Sequence, residues 1–360
     1  MTTETNLPQH AIERLWPQVT TSPELHLHQL DLIQQNGLFV QMPEGAYRGA
    51  AFLDGRSFNN QTLGGWIQFQ QIQQTLLHDP APSNPLHYIF HMGHTGSTLV
   101  SRLLDETGTV QSLREPLVLR DLAVMHDRRD EPDHLISPAQ VDAWTEIMLR
   151  LWSRRRNDRQ CAIVKATSSS ARIGATLMKA RPDSVAVYLS MAAGPYLAVI
   201  LGGANSMVDI RGHAQERMRR LTSFLGESPQ PLWELSPGEL IAASWVCEAL
   251  TREQIRQSVG GRLMRLDFDD FLADLPGCIK RLCDHFGLPS HDELVNRIAS
   301  SPTLGQYSKA TEHSYSSKLR ADVIRDSQSK NRAEIDRGLS WIRRLAKLHP
   351  AVQSLQKLDA

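Results

Sequence analysis

The residues of this sequence that could do chemistry are concentrated in a short turn rich in glycine and hydroxyl groups. Glycine allows backbone conformations that point successive N–H groups into one concavity. An apolar helical pattern follows the turn, and a helix N-terminus carries about half a positive charge. The pattern therefore predicts a cradle for an anion. Its members are Gly93, His94, Thr95, Gly96, Ser97 and Thr98.

The cradle lacks the lysine that an ATP-binding P-loop requires directly after its second glycine. Ser97 occupies that position, and residues 93–98 contain no Lys. This departure disfavours an ATPase or a kinase. A glycine-rich β–α turn that binds no ligand is the other interpretation of the pattern, because such turns are common.

The elements around the cradle follow an alternating pattern that begins at Pro85. Short β-rich runs alternate with longer amphipathic ones, which predicts an α/β fold with a mostly parallel central sheet and helices on both faces. The cradle joins the first strand to a helix over 97–104. The predicted strands are 86–92, 109–113, 162–164, 185–189 and 262–268.

Helix start and stop signals complete this outline. Ser137, followed by Pro and Gln at capping-box spacing, predicts a helix that runs to about Arg156, with its arginines in a solvated last turn. Gly287 predicts a helix stop after Phe286. Residues 302–330 are rich in Ser, Lys and Tyr and predict a long loop. Further helices are predicted over 197–225, 237–257 and 331–348.

The composition excludes several classes of protein. The 360 residues contain 39 Lys and Arg against 39 Asp and Glu, so we expect neither a nucleic acid nor an anionic membrane surface as partner. There is no apolar run of about 18 residues, and the polar N-terminus lacks the order of a secretory signal. The four cysteines show no CxxC spacing. We therefore expect reduced thiols, no metal site and a cytoplasmic location.

The cradle resembles the 5′-phosphosulfate loop of sulfotransferases, which reads Pro-(Arg/Lys)-Ser-Gly-Thr-(Thr/Ser)-Leu. Gly93 stands at the Pro position, His94 at the basic position, and Ser97 and Thr98 at the paired hydroxyls. Three later segments, at 114–117, 164–166 and 265–289, resemble further motifs of the family. They are its Glu-containing stretch, the Lys that ends a core strand, and its R-Y-E-D-L … F-L-G-L-P segment. The resemblance spans about residues 86–290 and is closest to the bacterial and tyrosylprotein branches.

The resemblance implies a P-loop NTPase-like three-layer fold and an enzyme. Its donor would be 3′-phosphoadenosine 5′-phosphosulfate (PAPS), with no metal required, and its acceptor a hydroxyl or amine on a small molecule or peptide. The implied organisation is an N-terminal extension over 1–84 that packs on the core, a core over 85–300, and a C-terminal loop and helix over 301–360. The C-terminal part would complete the nucleotide site.

The resemblance also assigns roles to side chains. The cradle would hold the 5′-phosphosulfate, and Lys165 would neutralise the bridging and leaving oxygens, unless it is a solvated strand-end lysine. Glu115, 18 residues after Ser97, is the candidate general base if burial raises its pKa. A surface ion pair with Arg114 or Arg120 is the alternative for Glu115. His94 is a rival base or cationic stabiliser, or a turn residue that bonds only locally.

The sequence departs from the family pattern at two places. His94 replaces the basic residue of the loop, and no Arg follows the 185–189 strand to hold the 3′-phosphate. The C-terminal pair Ser308 and Lys309 resembles a loop that folds over the nucleotide in several sulfotransferases. Other candidates to replace the missing Arg are Arg211, Arg217, Lys318 and Arg320. Two alternative functions stay open: a non-catalytic protein that binds a nucleotide or anion, and a phosphotransferase.

Overall fold

A computed structural model describes residues 10–42, 44–58, 62–78, 84–156, 158–203, 205–306 and 317–358. Its strands are β1 Leu25–Asp31, β2 Asn36–Gln41, β3 Gly64–Gln68, β4 Leu86–His91, β5 Val110–Arg114, β6 Cys161–Lys165, β7 Ala186–Ser190 and β8 Leu263–Asp267. Its helices are α1 His10–Leu15, α2 Glu44–Gly49, α3 Phe69–His78, α4 Ser97–Asp105, α5 Val118–Asp127, α6 Pro138–Ser153, α7 Gly174–Ala180, α8 Ala193–Gly202, α9 Ser206–Gly212, α10 Ala214–Leu225, α11 Pro237–Val259, α12 Phe268–Ala273, α13 Leu275–Phe286, α14 Asp292–Ala299, α15 Ser317–Lys330, α16 Arg332–Leu348 and α17 Pro350–Leu358. Across these ranges, none of the helices has the length and apolar character needed to cross a membrane.

The core of the described chain is a five-stranded sheet with the order β5-β6-β4-β7-β8. All four strand pairs are parallel. Every residue of β4, β5, β6 and β7 is buried, as strands covered on both faces require. The predicted fold class, an α/β sandwich around a parallel sheet, is confirmed.

The path of the chain through this sheet locates a ligand-binding edge. From β4 the chain crosses to β5 on one side, and from β6 it crosses to β7 on the other side of β4. In open α/β sheets, ligands bind at the carboxyl ends of the strands where the direction of winding reverses. The cradle leaves the carboxyl end of β4 at this point.

The N-terminal extension contains an antiparallel sheet of β1, β2 and β3, and a buried arginine at the end of α6 binds the chain that leads into β1. Arg154 is 5% exposed, and its guanidinium donates to the carbonyls of Val19, Ser22, Leu25 and Leu151 over 2.5–2.9 Å. The expectation that this arginine run lies in a solvated helix end is therefore wrong for Arg154. Burial with four carbonyl acceptors makes it an anchor between the two parts.

Local signals predicted the helix limits well. Ser137 forms the expected capping box at the start of α6. Gly287 ends α13 in the left-handed conformation, with φ of 67°. Asp267 accepts hydrogen bonds from the backbone of Asp269 and Asp270, so the acidic turn after β8 caps α12.

The predicted loop over 302–330 is wrong in its second half, where α15 runs from Ser317 to Lys330. This helix is polar along most of its length, so it lacks the apolar stripe that reveals a helix. Its stability comes from contacts with α8, where the Ser327 hydroxyl donates to the Ala198 carbonyl over 2.6 Å. Ion pairs within the helix, such as Lys330 with Asp326 at 2.8 Å, add to this.

Candidate active site

The cradle turns sharply between β4 and α4. Gly93, His94 and Gly96 have φ values of 92°, 56° and 66°. The left-handed region is uncommon for a residue with a side chain, so His94 carries backbone strain of a kind that clusters at functional sites. Gly96 is required for a second reason. A Cβ at this position would lie 2.0 Å from Cε2 of Phe268, the first residue of α12.

A histidine outside the predicted cradle ties the turn to the neighbouring strand. Nδ1 of His91 accepts a hydrogen bond from the Gly93 N–H over 3.0 Å. Nε2 therefore carries the proton and donates to the Ala166 carbonyl, 2.8 Å away, just beyond β6. The Gly93 N–H is thus used internally, and the amides available to an anion begin later in the turn. The first N–H groups of α4 have no intrahelical acceptor, which suits this role.

The hydroxyls of the cradle are buried. Thr95 donates to the Leu189 carbonyl of β7 over 3.5 Å. Ser97 and Thr98 are 5% and 2% exposed, and Oγ1 of Thr98 has no hydrogen-bond partner among the described residues. Oγ of Ser190, at the carboxyl end of β7, is buried and unpartnered within the same ranges. A buried hydroxyl without a partner costs about 1–3 kcal/mol, so these two atoms are suited to bind ligand oxygens.

Glu115 and Lys165 meet beside the cradle. Glu115 follows the last residue of β5, and Lys165 ends β6, the strand between β5 and β4. Nζ of Lys165 contacts Oε1 of Glu115, and Nη2 of Arg120 lies 3.7 Å from Oε2. Lys165 is fully buried, so it is not the solvated lysine considered as its alternative. Glu115 has a left-handed φ of 52° and is 9% exposed, so its ion pair is buried as well.

Arg114 does not pair with Glu115. Its guanidinium contacts Asp105 at the end of α4 and donates to Ser101 over 3.0 Å. Burial, with a smaller contribution from neighbouring Arg102, lowers the pKa of Arg114 to about 9. The alternative for Glu115 was a surface ion pair with Arg114 or Arg120. Of these two arginines, only Arg120 contacts it, at 3.7 Å.

Two residues next to the cradle, Ser168 and Tyr196, were not singled out from the sequence. A Cβ at Gly93 would lie 3.7 Å from Oγ of Ser168 and 4.0 Å from the hydroxyl of Tyr196, which donates to the Met92 carbonyl over 3.1 Å. Nη2 of Arg217 donates to Ser168 over 3.3 Å. The hydroxyl-rich run directly after β6 is a signal that could have revealed Ser168. The sequence around Tyr196 contains no comparable signal that would assign this residue to the site.

Arg217, one of the candidates to replace the missing arginine, is buried. Its Nε lies 3.2 Å from Oε1 of Glu248, and Nη2 of Arg220 lies 2.8 Å from the same oxygen. Glu248 is fully buried and accepts from both arginines. The two guanidiniums therefore support the Ser168 side of the cradle, and neither is free to leave for a distant phosphate.

The carboxyl ends of β7 and β8 receive an arginine from the C-terminal region. Nη1 of Arg320, on α15, bonds to Asp269, and its Nη2 lies 3.6 Å from the Met191 sulfur. The guanidinium is 5.1 Å from the ring centroid of Phe268, which itself packs on Gly96. Arg320 thus lies next to the position where the expected arginine after β7 is missing. Ser308 and Lys309 fall outside the described residues.

The acidic and sulfur-containing side chains do not assemble a metal centre within the described ranges. No group of three His, Cys, Asp or Glu side chains there has a suitable arrangement. The four cysteines are buried and free.

Comparisons with known proteins returned solved structures only. No family model matches the chain, and the curated proteins contain no match. Two similar structures are a sulfotransferase domain from the curacin biosynthetic pathway (12% identity, 69% of this chain and 97% of that one, TM-score 0.38) and a sulfotransferase from Mycobacterium avium (12%, 72% and 81%, 0.38). A third is a retinol dehydratase in complex with androsterone and inactive cofactor PAP (13%, 72% and 82%, 0.34). At these identities and scores, the case for a function is carried by the residues of this chain.

Proposed function

We propose that this chain is a sulfotransferase that moves a sulfuryl group from PAPS to a hydroxyl or amine. The observation that carries the proposal is the buried pair of Lys165 and Glu115 beside a strained, hydroxyl-lined turn. The pair and the turn lie together at the edge of the parallel sheet where α/β proteins bind ligands.

The residues of the cradle fit the 5′ end of the donor. The first-turn amides of α4 and the unpartnered Oγ1 of Thr98 offer hydrogen bonds to anionic oxygens without rearrangement. Ser97 lies one residue earlier on the same buried turn. His94 occupies the basic position of the loop, and its partial burial places it at the mouth. We assign the phosphosulfate contacts to residues 94–98.

The chemistry requires charge stabilisation and the removal of one proton. When bound, the donor supplies the sulfuryl group, and its S–O bond to the 5′-phosphate breaks with the electron pair left on phosphate as the acceptor oxygen bonds to sulfur. Lys165 stabilises the charge that gathers on the leaving oxygen. Glu115 accepts the acceptor proton. His94 is the rival for this proton.

The ion pair gives the two residues a second function in the ligand-free protein. Lys165 neutralises the charge of Glu115, so the buried carboxylate has a counter-ion. An anion in the cradle competes with Glu115 for the lysine, because phosphate oxygens form strong charge-assisted hydrogen bonds. Binding of the donor therefore frees the base at the moment it is needed.

We assign the 3′-phosphate to Arg320, in place of the arginine missing after β7. Asp269 holds its guanidinium near Met191 and Phe268. A bound 3′-phosphate would take the place of the Asp269 carboxylate as the partner of this guanidinium. Ser308 and Lys309 remain proposed contacts from the segment before α15. With Arg320 they would make the C-terminal region part of the nucleotide site.

Calorimetric titration with PAP, the desulfated donor, tests the proposal. We expect micromolar binding that weakens at least tenfold in Lys165→Ala and Ser97→Ala. Glu115→Gln should bind PAP as tightly as the wild type or more tightly, since Lys165 is released, but should lose most of its turnover. Absence of binding at millimolar PAP contradicts the proposal. Normal turnover by Glu115→Gln removes only the assignment of the base.

A non-catalytic, anion-binding function is the second candidate. It is favoured by the absence of an arginine in the segment after β7, Met191–Pro195. In that case PAP binds, but no sulfated product forms from any acceptor, and Glu115→Gln changes nothing except affinity. Transfer from ³⁵S-labelled PAPS to a mixed acceptor panel separates the two candidates.

A further inference from the structure

The N-terminal extension forms an open groove that the sheet and cradle do not explain. It is lined by side chains and backbone between Ala46 and Ser57 and has a volume of about 370 Å³. Pockets for small molecules have volumes of about 300–1,000 Å³. The lining consists of small residues, with one aromatic ring, Phe52, and one charged side chain, Arg56.

The groove adjoins the proposed catalytic pair. The segment that carries Phe52 runs alongside Glu115: the Leu53 N–H donates to the Arg114 carbonyl over 2.7 Å, and the Leu117 N–H donates to the Leu53 carbonyl over 3.3 Å. Nζ of Lys165 lies 5.5 Å from the centroid of the Phe52 ring. The segment that lines the groove is therefore bonded to the chain on both sides of Glu115, and its aromatic ring lies near Lys165.

The polar side chains of the groove are already paired with their own segment. Nε and Nη2 of Arg56 bind both carboxylate oxygens of Asp54 over 2.6–3.1 Å, and the guanidinium stacks 4.2 Å from the Phe52 ring centroid. The Ser57 hydroxyl donates to the Phe52 carbonyl over 2.5 Å. What the lining presents to an occupant is alanine methyl groups and the aromatic ring, which suit an uncharged, apolar body.

We infer that this groove binds the acceptor, and that the acceptor is a neutral phenol or alcohol with an apolar body. The inference rests on the proposed function and names its substrate class. The hydroxyl of the acceptor faces Glu115, loses its proton to that carboxylate and bonds to sulfur, while the apolar body lies against Phe52. An acidic peptide would need an unpaired cation in the groove, and Arg56 is neutralised by Asp54.

Two glycines of α2 provide a matched test. Gly49 lines the groove and Gly45 does not, and a Cβ at either position would meet no atom within 4 Å. A side chain at either position therefore begins in open space, and we compare leucine at both. We measure binding of 2-naphthol by calorimetry, with and without saturating PAP, and compare it with binding of an acidic tyrosine peptide.

We expect Gly49→Leu to weaken 2-naphthol binding at least tenfold, and Gly45→Leu to leave it unchanged. Phe52→Ala should weaken it as well. PAP affinity should be the same in all variants. Wild-type affinity for 2-naphthol in Gly49→Leu overturns the inference, as does a peptide that binds more tightly than the phenol. Failure of the wild type to bind PAP overturns the proposed function instead, and the naphthol comparison without nucleotide still decides about the groove.

Discussion

Thr98 shows how a single hydroxyl can separate stability from binding. Its Oγ1 is buried without a partner among the described residues, which weakens the fold, and we propose that it binds an oxygen of the donor. We predict that Thr98→Val, which keeps the shape, leaves the free energy of unfolding unchanged or raises it by about 1 kcal/mol. PAP affinity should fall about tenfold in the same variant.

Thr107→Val is the control for this prediction. Its Oγ1 donates to the Leu104 carbonyl over 2.8 Å at the end of α4, away from the cradle. The control should lose stability and keep PAP affinity, the reverse of Thr98→Val. Thermal unfolding and calorimetric titration measure both quantities. If Thr98→Val instead loses stability and binds PAP normally, its hydroxyl has a structural partner and no ligand.

Asp121, on α5 next to Arg120, gives a prediction of pH dependence. Burial raises the pKa of Asp121 from 3.8 to about 6, although Arg120 opposes this. Between these two values the folded state binds more protons than the unfolded state, so this carboxyl makes stability fall as pH rises. Asp121→Asn should therefore gain melting temperature relative to the wild type as the pH increases from about 4 to about 7.

The matched control for Asp121 is Asp322→Asn, a change to an exposed carboxylate on α15. Its difference in melting temperature from the wild type should vary less over the same range. A constant difference between Asp121→Asn and the wild type would show that Asp121 ionises in the folded protein as it does in the unfolded chain.

Local sequence pattern pointed to those residues of the candidate site that lie in a contiguous motif or at a strand end. Residues 93–98 are contiguous, and Glu115 and Lys165 each follow or end a strand that local pattern could find. Ser168 and Tyr196 reach the cradle only because two separate crossovers return to one edge of the sheet. Chain-distant contacts of this kind leave no pattern in local spacing.

At the scale of elements, α15 carries Arg320, to which we assign the 3′-phosphate. Adenosine 5′-phosphate lacks the 3′-phosphate of PAP, so it isolates the contact assigned to this arginine. We predict that Arg320→Ala reduces the preference for PAP over adenosine 5′-phosphate at least tenfold and leaves the affinity for adenosine 5′-phosphate nearly unchanged. Calorimetric titration of both nucleotides measures the preference.

Arg325→Ala is the control on the same helix. Arg325 is exposed and pairs with Asp322 at 3.0 Å, away from β7 and β8. Its removal should alter neither affinity. An equal loss of both nucleotides in Arg320→Ala would mean that Arg320 supports the fold of the site through Asp269 and has no direct contact with a 3′-phosphate.

The elements that the sequence predicted are those with strong local signals. The capping residues Ser137 and Gly287 predicted where α6 begins and where α13 ends. Continuous apolar runs predicted the buried strands of the parallel sheet. The polar α15 and the sheet of β1, β2 and β3 were missed, because both depend on partners elsewhere in the chain. For β1 and β2 the pairing also shifts register between Leu27 and Gln29, which breaks the alternation expected of a regular strand.

At the scale of the whole molecule, Arg154 bonds the N-terminal extension to the end of α6. Its guanidinium serves four carbonyls, and a substitution leaves them buried without a donor. We predict that Arg154→Met lowers the free energy of unfolding by on the order of 3 kcal/mol. Hydrogen exchange should rise first over residues 19–42.

The effect on ligands should differ between the two proposed sites. The groove belongs to the extension, so 2-naphthol affinity should fall in Arg154→Met, whereas PAP binding to the core should persist. Arg344→Ala, at an exposed pair with Glu239, is the control and should change neither. An equal loss of affinity for 2-naphthol and for PAP in Arg154→Met would mean that the substitution disrupts the core as much as the extension.

The contact between Gly96 and Phe268 joins two positions that are far apart in the sequence. The ring occupies the space that any side chain at position 96 would need, since a Cβ would lie 2.0 Å from it. Natural variation at the two positions is therefore coupled. Descendants of this chain that keep an aromatic residue at 268 need glycine at 96. A lineage that loses the ring removes this steric barrier, but the left-handed φ of 66° still disfavours most side chains at 96. Relatives with a residue other than glycine at 96 should therefore lack the aromatic ring at 268.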